Sequence, residues 1–307
     1  MALLIEERTA RTHTLAAHVL VGRSSTCTLR LDDPRVSSEH ARLSWQGSHW
    51  QVRDLASRNG TFVNDEKLAR GATLVLYVGD RIAFGQRAAP FVLDDASPPS
   101  ALARRPGTDQ TRLARDGMLV LPSEDVPTAC VFQDPDGAWI VEMDGAGRTV
   151  QDGEVLEVEG EAWTLHLPTP EVGTADARNS TATARGNPGL RFRVTRDEEH
   201  VEVIVDSAGT THVLPPRAHY YTLLTLARVR VHGHRDDVPE SARGWITVDE
   251  LCRMLATDEM KLNVDVFRVR RDLAKLGLAN ATNVIERRRS SRQLRLAWTP
   301  VHVESLS

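Results

Sequence analysis

The sequence predicts a multidomain protein: an N-terminal all-β sandwich, a small β-module and a C-terminal α+β domain. Three observations carry this. Short β-rich runs divided by turn residues fill the first 95 positions. Two stretches, 96–115 and 168–189, show neither hydrophobic period and read as linkers. Helical patterns appear only after position 213, within the stretch 189–299 whose net charge is opposite in sign to that of 1–188. At about 100–200 residues per domain, the 307 residues suit two or three domains.

Composition narrows the function classes. With 41% hydrophobic and 26% charged residues, neither a collagen-like nor a wholly disordered chain fits. No stretch approaches the roughly 18 apolar residues of a membrane helix. The first eleven residues carry Glu6, Glu7, Arg8 and Arg11, which argues against a signal-peptide core. Cys27, Cys130 and Cys252 have no metal-ligand spacing and read as reduced thiols of a cytoplasmic protein. The basic residues are 35 Arg and only 3 Lys, a ratio that reads as GC-rich coding bias. Residues 1–188 hold 19 basic against 26 acidic side chains, whereas 189–299 hold 19 against 15, and 261–295 alone ten against three. The split suggests an acidic regulatory part and a basic part facing a polyanion.

In the first segment, 1–95, the β-rich runs are Val19–Val21, Cys27–Leu31, Ala41–Trp45, His49–Val52 and Thr73–Val78. Turn signals such as Asp32-Asp33-Pro34 and Asn59-Gly60 divide them, a spacing that suggests a sandwich. Gly22-Arg23 follows one strand and Ser37-Ser38-Glu39-His40 opens another. Asn59-Gly60-Thr61-Phe62-Val63-Asn64 and Gly79-Asp80-Arg81-Ile82 follow in order. These four motifs together resemble a forkhead-associated (FHA) domain. The resemblance implies phosphothreonine binding, with a phosphorylated protein and its Ser/Thr kinase as partners. It places Arg23, Ser37, Ser38, Arg58 and Asn59 at the phosphopeptide. Gly22, His40, Gly60 and Asn64 become supports of the loops. The chemistry suits a phosphate of about −1.5 to −2 charges: a guanidinium fork and a short hydroxyl supply charge-assisted donors. Ser38 stands where Arg is frequent in the family, so one phosphate-side charge is missing.

The second segment, 116–167, reads as strands Ala129–Gln133, Ala138–Glu142 and Glu154–Leu167, with a turn at Asp134-Pro135-Asp136-Gly137. It echoes the first segment weakly, as a degenerate FHA-like half-repeat would. It has no Ser-x-x-His and no Asn-Gly, so no phosphate site is expected, and a spacer or packing module is the better reading.

The third segment, 190–303, opens with strands Arg191–Val194 and Val201–Val205. A helix is expected from Leu214-Pro215-Pro216-Arg217, with prolines at its start. Thr247-Val248-Asp249-Glu250 reads as a capping box before a second helix. In a third, Leu262, Val266, Val269, Leu273 and Leu276 form one stripe, with Gly277 as its left-handed cap. Arg268, Arg271 and Lys275 lie opposite, with Asn263 and Arg270 on the flank. Val284–Arg287 and Gln293–Leu296 form a basic hairpin around Arg288-Arg289-Ser290-Ser291-Arg292. This arrangement resembles the OmpR/PhoB-type winged helix-turn-helix, although the insert from His232 to Gly244 is longer than usual. The resemblance implies double-stranded DNA as a partner, with the third helix in the major groove. Arg268 and Arg271 suit guanine edges, and Lys275, Arg288, Arg289 and Arg292 suit phosphates. Arg270 is as readily a structural ion pair with Glu250 or another acid, and Phe267 reads as partly buried.

Phosphate-loop, kinase, nucleophile-elbow and zincin motifs are absent, and His232-Gly233-His234 lacks companions at ligand spacing. No enzyme activity, cofactor or metal is therefore expected. The sequence reads as a phosphorylation-responsive transcription regulator; the alternative is an adaptor whose winged helix binds protein.

Overall fold

A computed structural model of the chain describes all residues except 109, 144, 169–187, 197, 199, 208, 233–238, 240, 241, 279, 289, 290, 306 and 307. Two units emerge, one built mainly from Met1–Ala103, the other from Arg104–Gln151, Val155–Thr164 and the C-terminal part.

In the first unit, period-two alternation sets which side chains turn inward. Trp50, Val52 and Asp54 alternate with less buried neighbours along one strand. The strands are β1 (Leu3–Glu6), β2 (Thr12–Thr14), β3 (His18–Gly22), β4 (Leu29–Arg30), β5 (Ala41–Trp45), β6 (Trp50–Asp54), β7 (Thr61–Val63), β8 (Glu66–Lys67), β9 (Thr73–Leu76), β10 (Arg81–Phe84) and β11 (Phe91–Asp95). They form a five-stranded sheet β4-β3-β5-β6-β9 and a six-stranded sheet β2-β1-β11-β10-β7-β8. Leu4, Val21, Leu43, Trp50, Val52, Ile82 and Leu93 are fully buried between strands of these sheets. The register pairs Val21 with Ala41 and Ala41 with Asp54. That brings the loops after β3, before β5 and after β6 to one end.

The stretch 96–115 is more than a linker. It carries β12 (Leu102–Arg104) and β13 (Thr111–Leu113), and Ala101, Leu102 and Ala103 are buried. These runs are too short for either period to show in the sequence. Of the second linker, residues 169–187, with Thr169, Thr174, Thr181 and Thr183, lie outside the described residues.

In the second unit, β14 (Leu119–Pro122), β15 (Pro127–Gln133), β16 (Trp139–Met143) and β17 (Ala146–Thr149) make an antiparallel meander in chain order. Five of the seven β15 residues are buried, including the consecutive run Ala129–Phe132, as expected for a strand covered on both faces. The single strand expected over Glu154–Leu167 is instead a hairpin, β18 (Val155–Val158) and β19 (Glu161–His166). Glu159 and Gly160, both with positive φ, make its turn.

Among its described residues the C-terminal part has three α-helices and two sheets. β20 (Gly189–Val194), β21 (Val201–Ser207) and β22 (Thr210–Leu214) are followed by α1 (Tyr220–His232), β23 (Ile246–Thr247), α2 (Val248–Leu255), α3 (Glu259–Ala274), β24 (Ile285–Arg287), β25 (Gln293–Leu296) and β26 (Val301–Ser305). The first helix starts later than expected. Leu214 ends a strand, Pro215 and Pro216 lie in the connection, and the chain turns at Arg217 to enter the helix at Tyr220. Proline favours a first helical position, yet it equally terminates a strand, and pairing of Leu214 with Val203 decides between them. Thr247 does cap α2, its Oγ1 accepting from the Glu250 N–H at 3.2 Å. Leu262, Val266, Val269 and Leu273 of α3 join one core with Leu223, Leu224, Leu251 and Trp298, and Gly277 takes φ +70° beyond the helix end. A further strand, β26, returns to pair in parallel with β20. Among the described residues no helix is long and apolar enough to cross a membrane.

Candidate functional site

The loops at one end of the first sandwich are tied together by backbone groups. The Arg23 and Ser24 N–H groups donate to the Ser37 and Ser38 carbonyls, each at 3.0 Å. This close passage explains Gly22: a Cβ there would lie 2.2 Å from the Ser38 carbonyl oxygen. Only glycine leaves room for the two chains to touch.

His40 is fully buried and bridges two loops. Its Nδ1 accepts from the Ser37 N–H at 3.0 Å and its Nε2 faces the Gly60 carbonyl at 3.1 Å. The first bond leaves Nδ1 without a proton, so Nε2 carries it and donates to Gly60. Burial lowers the pKa of His40, outweighing the Gly60 hydrogen bond and the Asp54 charge, which act in the opposite direction. Beneath the same loop, Asp54 Oδ1 accepts from Ser57 Oγ at 2.6 Å and Thr61 Oγ1 at 2.8 Å. Burial opposes its charge, yet the Ser57, Thr61 and Gly71 donors hold the carboxyl below its ordinary range. Gly60, at φ +93°, closes this turn, its N–H reaching Ser57 Oγ.

The remaining predicted residues sort by whether they are engaged. Ser37 Oγ accepts from the Arg58 N–H at 3.1 Å, which leaves the hydroxyl proton free to donate outward. Arg23, Ser38 and Arg58 are exposed, and among the described residues their side chains make no hydrogen bond or ion pair. Asn59 donates from Nδ2 to the Arg35 carbonyl at 2.7 Å, which leaves its second N–H and its Oδ1 able to bond elsewhere. Asn64 holds its turn, with Nδ2 on Asp80 Oδ1 at 2.8 Å and Oδ1 accepting from the Arg81 N–H. The structure adds two cations. Lys67 and Arg70 line the same groove as Ser37, Ser57 and Arg58, and Arg70 donates to the Ala56 carbonyl. They fall outside the motifs, and only the folding of β8 back on β7 brings them there.

The C-terminal basic residues divide differently. Arg268 and Lys275 are exposed and make no ion pair among the described residues. Arg271, expected on the open face, is half-buried: its guanidinium lies 3.5 Å from Glu124 and over the Phe267 ring. Arg288 stacks 4.5 Å from the Trp245 ring and donates to Gln293 Oε1. Arg292 is held by Glu259 at 2.6 Å, and Arg289 lies outside the described residues. Phe267 is 3% exposed, within a cluster of Met118, Val120, Cys130 and Phe132. The partner of Arg270 is neither Glu250 nor any other near neighbour but Glu142 of β16, met in two hydrogen bonds of 2.8 and 2.9 Å. Arg287 joins the same carboxylate at 3.0 Å. Burial opposes these charges, but the two guanidiniums keep Glu142 below the ordinary carboxylate range. Burial also pushes the neighbouring Cys130 thiol up to about 12.

Residues 19–85 match the FHA domain family, so the N-terminal unit contains an FHA domain. The chain is 40% identical over 70 residues to the FHA domain-containing protein FhaB of Mycobacterium tuberculosis, covering 23% of this chain and 44% of that protein. To FhaB of Mycolicibacterium smegmatis it is 50% identical over 50 residues, 16% and 32% of the two chains. It thus spans less than half the length of these curated relatives. Among solved structures, Mycobacterium tuberculosis EmbR in complex with a low-affinity phosphopeptide is similar at 28% identity and a TM-score of 0.29. That similarity covers 32% of this chain and 25% of the other.

Proposed function

We propose that this protein is a phosphorylation-responsive transcription regulator whose FHA domain docks a phosphothreonine protein and whose C-terminal part binds double-stranded DNA. One observation carries the first half. Arg23, exposed and without a side-chain hydrogen bond or ion pair among the described residues, is tied by its backbone N–H to Ser37, whose hydroxyl proton is free, on loops braced from beneath by His40. Asp54 in the groove is already committed to Ser57 and Thr61, so the cations around it favour an incoming dianion. A fluorescence titration of the full chain with matched threonine and phosphothreonine peptide libraries tests it. Equal binding of both libraries refutes the reading.

The DNA half is supported by a capped α2 followed by α3 and a basic hairpin, elements that a winged-helix reading requires. Exposed Arg268 and Lys275 lie on α3 and exposed Arg288 on the hairpin. An adaptor, in which this part binds protein, is the second reading. It is favoured by one observation: Phe267 and Arg270 of α3 already make a protein contact, with β14–β16. Electrophoretic shift with genomic fragments separates the two readings.

A further inference from the structure

The meander β14–β17 packs along one flank of α3. At 100° per residue, Asn263, Phe267 and Arg270 stand roughly a quarter turn from the core stripe of Leu262, Val266, Val269 and Leu273. That flank is covered. Phe267 enters the Met118, Val120, Cys130 and Phe132 cluster, and the Arg270 guanidinium lies 4.6 Å from the Phe132 ring centre. The β16–β17 turn reaches the start of the helix, where a Cβ on Gly145 would lie 2.4 Å from Glu259 Oε1.

A covered flank is incompatible with the major groove. The groove is about 12 Å wide, which an α-helix of about 10–12 Å with its side chains already fills. A sheet packed against the helix adds about another 10 Å. Reading of B-DNA by α3 therefore requires the meander to leave it.

The contact is also built to be left. One carboxylate, Glu142, serves two buried guanidiniums, Arg270 and Arg287, so one positive charge is buried in excess. Arg270 Nε, Arg271 Nε and Arg287 Nη1 are buried without a hydrogen-bond partner, which carries a desolvation cost. A small cavity remains at the contact, lined among others by Cys130, Glu142, Asn263, Phe267 and Arg287. Opening would release these guanidiniums toward an external anion.

We infer that the β14–β17 meander is an autoinhibitory clamp on α3, latched by Glu142 between Arg270 and Arg287, and that it opens when duplex DNA is bound. This inference rests on the DNA reading above. Coupling between two sites is reciprocal, so DNA binding and exposure of the contact rise together.

Cys130 lies inside the contact and reports its opening. The full chain is treated with a maleimide, with and without a random-sequence duplex at low salt, and labelling of Cys130 is followed by peptide mass. Saturating duplex is expected to speed Cys130 labelling tenfold or more. Glu142→Gln removes the shared charge with little change of shape, and should raise the labelling rate and the duplex affinity together. If the wild-type chain binds duplex while Cys130 stays as protected as before, the clamp is overturned and the DNA reading stands. If Cys130 labels freely in Glu142→Gln and neither chain binds duplex, the DNA reading falls and takes the clamp with it. Should circular dichroism show Glu142→Gln unfolded, duplex-driven labelling of the wild-type chain decides alone, with absent acceleration or absent binding counting against the clamp.

Discussion

Arg270 and Glu142, 128 positions apart, meet in a bidentate pair of 2.8 and 2.9 Å with both side chains buried. The pair joins a helix of the last segment to a strand of the middle one. It packs the meander β14–β17 of the middle segment against the C-terminal part, within one unit.

Removing one member of such a pair leaves an uncompensated buried charge. Glu142→Ala is expected to destabilise the second unit by about 3–5 kcal/mol, read from chemical denaturation. The pH dependence follows from the lowered Glu142 pKa. A depressed carboxylate contributes stability above its unfolded value, near 4.3, and that contribution is lost as pH falls through the folded value. The acid limb of the wild-type stability curve should therefore be steeper than that of Glu142→Ala.

Arg23→Ala should weaken phosphothreonine-peptide binding at least tenfold, the effect of losing one charge-assisted hydrogen bond of about 1.5 kcal/mol or more. The thermal midpoint should stay within a degree or two, because the exposed side chain makes no hydrogen bond or ion pair among the described residues. Titration with phosphothreonine peptides and a thermal melt check both halves.

Gly22→Ala tests position and not charge. The added methyl meets the Ser38 carbonyl at 2.2 Å, so the two loops must part. Phosphopeptide affinity should drop although Arg23 and Ser37 are unchanged. A crystal structure or amide exchange at Arg23 and Ser24 would show the lost hydrogen bonds.

His40 gives the first unit a pH response of its own. Its folded pKa is lowered by burial, so the unfolded chain takes up the proton first. Stability from neutral His40 is complete above its ordinary value, near 6.5, declines as pH falls below it, and levels off below the folded value. His40→Asn should flatten this decline while lowering stability at pH 8, as followed by denaturant midpoints between pH 5 and 8.

On DNA, Lys275→Ala should flatten log K against log salt by about 0.9, the loss of one phosphate contact, whereas Arg268→Ala should narrow the gap between specific and random duplex. Arg292→Ala should change the salt slope less than Arg288→Ala, because Glu259 already neutralises Arg292. Binding isotherms across a salt series read both.

Local signals in the chain specify the first sandwich, its loop motifs and the second and third C-terminal helices. These signals are period-two strands, turn residues at fixed offsets, a Thr247 cap and the Leu262–Leu273 stripe, all short in sequence separation. The place of Glu142 follows from packing across the fold. A carboxylate in a β-run looks like any solvated acid until a helix more than a hundred residues later supplies its guanidinium. The same holds for Lys67 and Arg70, which reach the Ser37 groove through a strand pairing no motif encodes, and for Asn59, whose Nδ2 donates to the Arg35 carbonyl. The prolines after Leu214 show the limit from the other side: their local preference suits a helix start and a strand end equally, and pairing with Val203 settles it. Long-range partners choose among local options, and that choice is made by burial and charge pairing across the fold, to which sequence period is blind.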